Sequence, residues 1–227
     1  MGLGIKIGVM AGQGFSNNFS LSFDGTNDQV TLPLSQYTSD FTFSFWIKPS
    51  SIDPADNRFI IGKVSDPNHY IHLVRPTTIA LKINGSLINF TTSDGDGGNP
   101  IVLNEWNNII VTRGSSSTVK AFRNGTAFGE ATGSLAGTLD VSYLGGDSSR
   151  HYLGLIDEVA IWSNSDQSTN AIKIYNSGVP NDLVSTDFTS PSTWYRFEEG
   201  SGTTANNSIS EDGAGTISGA TYTIDTP

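Results

Sequence analysis

The sequence predicts an all-β fold: a two-sheet antiparallel jelly-roll sandwich with one short helix. Three observations predict it. Apolar residues recur at every second position along many short runs, the period of a strand with one buried face. Turn residues separate those runs, among them two Asn-Gly pairs. Only one stretch carries a helical pattern.

The period of two is clearest in Phe41-Thr-Phe-Ser-Phe-Trp-Ile-Lys48. Phe41, Phe43, Phe45 and Ile47 share one face; Thr42, Ser44, Trp46 and Lys48 share the other. Pro49 cannot donate to a ladder and ends the run. The same reading, in chain order, places strands at 20–23, 29–32, 41–48, 58–63, 70–74, 78–83, 86–91, 107–113, 118–124, 127–132, 141–144, 154–163, 194–198 and 215–222. Asn84-Gly85 and Asn124-Gly125 lie between alternating runs, and both turn positions need positive φ, so each pair predicts a tight hairpin. The helix is expected over Ser168–Gly178. Ser168 is its N-cap candidate, Ala171, Ile172 and Tyr175 one face, Gly178 its stop, and Pro180 lies just beyond. The domain boundary falls between a short arm, residues 1–15, and one sandwich, residues 16–227.

Composition narrows the function classes. The chain has 227 residues and no cysteine, which excludes a disulfide scaffold, thiolate metal sites and a cysteine nucleophile. Its formal charge is −10, so it repels phosphate backbones, and nucleic acid is not an expected partner. No apolar run reaches the ~18 residues of a transmembrane helix, and no membrane insertion is expected. Ser, Thr, Asn and Gly supply 95 of the residues and favour turns and solvent-facing strand positions. The Asp excess sits mostly in Gly/Asn-rich turns, where it serves either as turn chemistry or as Ca²⁺ ligation.

Catalytic patterns are sparse. Glucan-cleaving strands bring a Glu-x-x-x-Glu or Glu-x-Asp-x-x-Glu pair to one face, and neither pattern occurs. Glu198 and Glu199 are adjacent and would diverge on a regular strand. His69 and His72 are three apart, the wrong spacing for a shared metal on a strand. There is no Gly-x-Ser-x-Gly elbow and no phosphate loop. No enzymatic role is expected. Sugar binding needs an aromatic ring to stack on a pyranose, with a few polar partners beside it. Trp46, Tyr70, Trp106 and Tyr152 are the candidates; Trp162 and Trp194 read as core.

Several segments, in order, resemble the laminin-G-like (concanavalin A-like lectin/glucanase) domains of bacteria and phages. These are Leu21-Ser-Phe-Asp-Gly-Thr-Asn-Asp-Gln-Val30, Phe41 to Pro49, Trp106-Asn-Asn-Ile-Ile-Val-Thr-Arg113, Val119-Lys-Ala-Phe-Arg-Asn-Gly125, Tyr143-Leu-Gly-Gly146 and Gly154-Leu-Ile-Asp-Glu-Val-Ala-Ile-Trp162. Ile172 to Gly178 looks like the short helix that follows. Trp194-Tyr-Arg-Phe-Glu-Glu-Gly-Ser-Gly-Thr-Thr204 resembles a segment that often stands before the Phe-Asp-Gly motif; here it comes last, which implies a permuted arrangement. The resemblance implies a jelly roll that binds rather than catalyses. It also implies a Ca²⁺ ion near the Phe-Asp-Gly turn, with Asp24 and Asp157 as matched carboxylates and Asn27 or Asp28 as lesser ligands.

The arm adds a second expectation. Leu3, Ile5, Ile7 and Val9 alternate with small or charged residues, so the segment either adds a strand to a neighbour or forms an ordinary first strand. It is a poor signal peptide, lacking an apolar block and a cleavage site. Its pattern resembles Gly-rich leaders of laminin-G-like proteins in tailed phages. The first expectation is therefore a non-enzymatic virion surface protein of a bacteriophage: a decoration, fibre or tail-associated module assembled in the host cytoplasm. It would bind other virion proteins through the arm, form a homo-oligomer and take host glycans. The second is a free bacterial carbohydrate-binding module or adhesin, extracellular and Ca²⁺-dependent. The third is an enzyme acting on polysaccharide.

Overall fold

A computed structural model describes residues 15–52, 58–92, 99–129, 134–146, 150–185, 187 and 189–227. In chain order the strands are β1 (Ser20–Asp24), β2 (Gln29–Tyr37), β3 (Phe41–Pro49), β4 (Arg58–Gly62), β5 (Tyr70–Arg75), β6 (Thr78–Ile83), β7 (Ser86–Thr91), β8 (Asn107–Arg113), β9 (Val119–Arg123), β10 (Thr126–Ala127), β11 (Leu139–Leu144) and β12 (Leu153–Ser163). The helix α1 (Ala171–Tyr175) follows, then β13 (Thr193–Tyr195), β14 (Thr204–Ala205), β15 (Gly215–Ser218) and β16 (Thr221–Thr223). They make two antiparallel sheets. The first runs β10-β9-β8-β3-β12-β1-β16, with β13 also on β12; the second runs β14-β15-β2-β11-β4-β5-β6-β7. The predicted all-β sandwich with one short helix is what forms.

The main core lies between the sheets. Phe41, Phe43, Phe45 and Ile47 of β3 are fully buried there, in one cluster with Ile71, Leu73, Ile79 and Leu81 of β5 and β6. Burying one such side chain stabilises the fold by roughly 1.5–3 kcal/mol. Both Asn-Gly pairs are hairpin turns with positive φ at both residues, 48° and 82° at Asn84 and Gly85, 50° and 73° at Asn124 and Gly125.

Four expectations need correction. The strand read at 29–32 continues through Pro33 to Tyr37, because its pairing with β11 shifts register between Val141 and Tyr143 and so tolerates a residue without an amide hydrogen. The single strand read at 215–222 is two strands in different sheets. The chain breaks at Gly219, where φ is +82° and a β-carbon would fall 2.0 Å from an Asp28 carboxylate oxygen. The run at 127–132 holds only Ala127 in a strand among the described residues. The helix is one five-residue turn flanked by 3-10 turns at Ser168–Asn170 and Asn176–Gly178. Ser168 does not cap it; Ser168 N instead donates to Asp166 Oδ1 at 2.8 Å. Its buried positions are Ala171 and Ile174, three apart on one face, while Ile172 is 58% exposed.

The predicted arm, with Leu3, Ile5, Ile7 and Val9, lies outside the described residues apart from Phe15. That ring stacks on Trp194 at 6.0 Å and under the Arg196 guanidinium at 4.3 Å. Phe15 therefore packs as part of the sandwich. The first and last strands of the sandwich lie together: Ser20 Oγ donates to Asp225 O at 2.7 Å, and β16 pairs with β1. This adjacency is what a permuted order of segments requires.

Candidate functional site

The two sheets differ on their outer faces. Outside the first sheet a second apolar cluster forms from Ile110, Ala160 and Trp162 of the sheet with Ala171 and Ile174 of α1, Leu183 and Trp194. Trp162 Nε1 donates to Thr189 O at 2.6 Å, which ties the segment after α1 down over the sheet. No comparable cluster lies outside the second sheet among the described residues.

That second outer face is built by alternation. Ile71 and Leu73 point into the core, so Tyr70 and His72 point out. Tyr70 stands in a row with Gly62 and Tyr143 on one side and Lys82 on the other. His72 stacks on Tyr70 in parallel, 3.6 Å between centroids, and meets the Phe59 ring at 4.8 Å. Gly62 makes this possible: a β-carbon there would sit 2.7 Å from the Phe59 ring and 2.4 Å from His69 O. Phe59 and His72 are buried; Tyr70 is half-buried, so one aromatic surface is left in reach of solvent. Partial burial raises the Tyr70 hydroxyl's pKa against the pull of Arg150, so it remains a neutral donor and acceptor at physiological pH.

Two cations lie over this ring. Lys82 Nζ is 5.7 Å from the Tyr70 centroid and the Arg150 guanidinium carbon 5.5 Å. Next to them Lys63 is spent on ion pairs, 2.8 Å to Asp140 and 3.5 Å to Asp66. Burial works to raise the Asp140 carboxyl, but the hydrogen bonds from Lys63 and Gln36 outweigh it and hold it below its ordinary value. His69 Nδ1 accepts from Asp140 N at 3.2 Å. His69, His72, Lys82 and Arg150 were absent from the predicted site. The only signal for them in the sequence was that Tyr70, His72 and Lys82 fall on the polar side of two alternating runs.

Of the four predicted sugar contacts, only Tyr70 belongs to this surface. Trp46 does lie on the Thr/Ser face of β3, as its alternation requires, but that face is roofed. Its ring stacks on Tyr175 of α1 at 5.8 Å and is 3% exposed. Tyr152 is fully buried against Phe23, centroids 6.0 Å apart, with its hydroxyl donating to Leu155 O. Neither offers a ring face to a ligand. Trp106 is partly exposed and held by its indole N–H, which donates to Asp225 Oδ1 at 2.9 Å, away from Tyr70.

The four predicted Ca²⁺ ligands do not converge. Asp24 and Asp28 share one turn, where Asp24 Oδ1 accepts from Thr26 N and Asp28 Oδ2 accepts from Asp24 N. Asn27 is exposed beside them, and Asp28 is buried with its carboxyl pKa raised by that burial. Asp157 lies at the other end of β1, about 13 Å away by strand rise, since Leu21 pairs with Ile156 and Asp24 with Leu153. No group of three or more His, Cys, Asp or Glu among the described residues could hold a metal ion.

Asp157 has a different role. β12 pairs with β1 over one half and β13 over the other, and a bulge separates the halves at Asp157–Glu158, where Glu158 takes φ +48°. Both carboxylates are buried. Asp157 Oδ2 accepts from Asn17 Nδ2 at 2.9 Å and Oδ1 from Glu158 N at 2.8 Å. Glu158 Oε1 accepts from Arg196 Nε at 3.1 Å, and the Trp194 indole N–H faces the same carboxylate from outside hydrogen-bond geometry. Burial pushes the Glu158 carboxyl up to about 8 despite Arg196 and raises that of Asp157 well above its ordinary value, with Glu158 adding repulsion. Arg196 also donates to Ser16 O, and Glu198 accepts from Asn18 N at 2.8 Å. This cluster clasps residues 15–19. Glu199 is likewise engaged, accepting from Asn206 N and the Tyr222 hydroxyl. The acidic residues of this end are therefore held in structural hydrogen bonds.

Comparison with known proteins follows the same lines. The family model of the concanavalin A-like lectin/glucanases superfamily matches residues 24–173. No curated protein matches the chain. Among solved structures, a candidate carbohydrate-binding protein from Bacteroides ovatus ATCC 8483 is similar over 91% of this chain and 60% of its own, with 15% identity and a TM-score of 0.67. The chain thus spans about 60% of that protein's length. The heptameric SAP-like pentraxin of Limulus polyphemus is similar over 70% of this chain and 82% of its own, at 14% identity and a TM-score of 0.51. The ligand-binding domain of botulinum neurotoxin serotype D, solved with N-acetylneuraminic acid, is similar over 77% of this chain and 45% of its own, at 16% identity and a TM-score of 0.53.

Proposed function

The chain belongs to the concanavalin A-like lectin/glucanases superfamily, and from that premise we propose that it is a non-enzymatic module that binds glycans on the outer face of its second sheet. The observation that carries the reading is Tyr70: a half-buried ring on that outer face, stacked on His72 and with Lys82 and Arg150 over it. A rigid aromatic with donors around it is what recognition of a pyranose needs. The carbohydrate binding stated for the Bacteroides protein, and the sugar in the neurotoxin complex, fit that reading. Engagement of Glu198 and Glu199 in structural hydrogen bonds, and burial of Asp157 and Glu158, support a binding rather than a hydrolytic role.

The setting is part of the proposal. The module is carried on a bacteriophage virion, the arm up to residue 14 joins it to other virion proteins by strand addition, and copies associate as a homo-oligomer. The alternation of Leu3, Ile5, Ile7 and Val9 supports this, together with the clasp that fixes the chain where the arm ends. A free bacterial carbohydrate-binding module or adhesin would use the same face. The reading gives Ca²⁺ no part, because the expected ligands are divided between the two ends of β1.

A glycan array probed with the full chain, with and without a chelator, tests the binding. Saccharide capture is expected in both conditions, and Tyr70→Ala is expected to weaken it by about tenfold or more. No capture of any glycan, or capture that Tyr70→Ala leaves undiminished, refutes the site. Removing residues 1–14 is expected to leave a folded, glycan-binding domain that no longer joins particles; continued incorporation refutes the anchor.

A further inference from the structure

We propose that the Tyr70 face selects an acidic saccharide, with a sugar carboxylate or sulfate ester held by Lys82 and Arg150 where they lie over Tyr70. This rests on the glycan-binding reading above and specifies the charge of its ligand.

Three observations carry it. First, both cationic heads lie within 6 Å of the centre of one aromatic ring, which puts them within a single sugar unit's reach of whatever stacks there. Second, the charge of Lys82 is not neutralised. Lys63, on the same sheet, is answered by Asp140 and Asp66, whereas no carboxylate among the described residues pairs with Lys82. Third, the setting is adverse. The chain carries a formal charge of −10, so an anionic ligand approaches against the protein's overall field. Only charges within about 8 Å, the screening length at physiological salt, act strongly on a bound group. Local cations beside the stacking ring are therefore what an acidic sugar requires, and a neutral sugar gains little from them. Arg150 supplies a planar fork that matches carboxylate or sulfate oxygens, and Lys82 a compact point charge.

Two matched pairs of probes test the inference by titration calorimetry on the full chain. One pair is a galacturonate oligomer and its methyl ester; the other is a carrageenan oligosaccharide and its desulfated form. In at least one pair the charged member is expected to bind about tenfold tighter in dilute buffer, with the advantage shrinking several-fold in about 0.5 M salt. The pair that shows it identifies carboxylate or sulfate as the recognised group. Lys82→Gln is expected to weaken the charged member several-fold more than its neutral partner, and Lys82→Gln with Arg150→Gln to remove the preference. Equal affinities within both pairs, or a preference that survives both Lys82→Gln and Arg150→Gln, overturn the inference and leave glycan binding standing. If no member of either pair binds and the glycan array is also blank, the binding reading itself falls.

Discussion

Outside the first sheet, Trp46, Trp162 and Trp194 are buried, Trp46 and Trp162 beneath α1 and the segment that follows it; outside the second, Tyr70 stands half-buried under Lys82 and Arg150, with no apolar cluster over that face among the described residues. Both faces begin from the same strand chemistry. β3 and β5 each send one set of residues inward and a mixed aromatic-polar set outward. What differs is the cover. The first outer face gained a roof and became a small core, so its aromatics add stability. On the second, Phe59 and His72 are buried but Tyr70 stays in reach of solvent, where it can meet a ligand. An aromatic on the polar side of an alternating strand is thus a binding candidate only where no other segment packs over that side.

The strongest way to break this comparison is to empty one face and read both properties. Trp162→Ala removes a ring that is 1% exposed and should destabilise the fold by about 3–5 kcal/mol in urea unfolding. Tyr70→Ala should cost far less stability while weakening glycan capture by about tenfold or more. If the two variants lose stability equally, the faces are not divided as described.

A pH profile comes next. Asp157 and Glu158 both have raised values in the folded chain, Glu158 to about 8. The folded state therefore keeps protons that the unfolded chain releases near pH 4–4.5. Their stabilising contribution is complete below that range and is lost as pH rises towards 8. We expect the urea midpoint to fall between pH 5 and 8, equivalent to a loss on the order of 2 kcal/mol, and Glu158→Gln to flatten the profile. A wild-type midpoint that rises over this range would contradict the assignment. Glycan binding, on the other sheet, should not follow it.

Trp46→Phe sharpens the contrast at smaller scale. It keeps the stack on Tyr175 but shrinks it, at a cost of about 1 kcal/mol, with glycan affinity unchanged. A loss of affinity would return Trp46 to the site. The smallest effect is expected at the exposed Lys48–Asp225 pair, 2.6 Å apart. Asp225→Asn should lower stability by about 0.5 kcal/mol or less, because solvent screens such pairs.

Much of the fold was legible because the forces that set it are local. The alternation in Phe41–Lys48 and the positive φ demanded by Asn84-Gly85 and Asn124-Gly125 are written in consecutive residues, and strands and hairpins formed there. The site was less legible because exposure is not local. Tyr70, Trp46 and Tyr152 satisfy the same local rule for a sugar contact. Only the packing of α1 over Trp46, and the enclosure of Tyr152 against Phe23, separate them. Asp157 matched its motif, but a motif does not say which end of β1 a carboxylate will occupy.

The sequence by itself determined the two-sheet class, the positions of most strands and turns, the net negative charge and the absence of thiol chemistry, since each follows from residue type and spacing. The tertiary structure alone decided which outer face stayed open, that residues 215–222 divide between the two sheets at Gly219, and that Asp157 and Glu158 share a buried bulge with Arg196. Those outcomes depend on contacts between segments tens of residues apart, and a period of two is blind to what lies on the far side of the strand it describes.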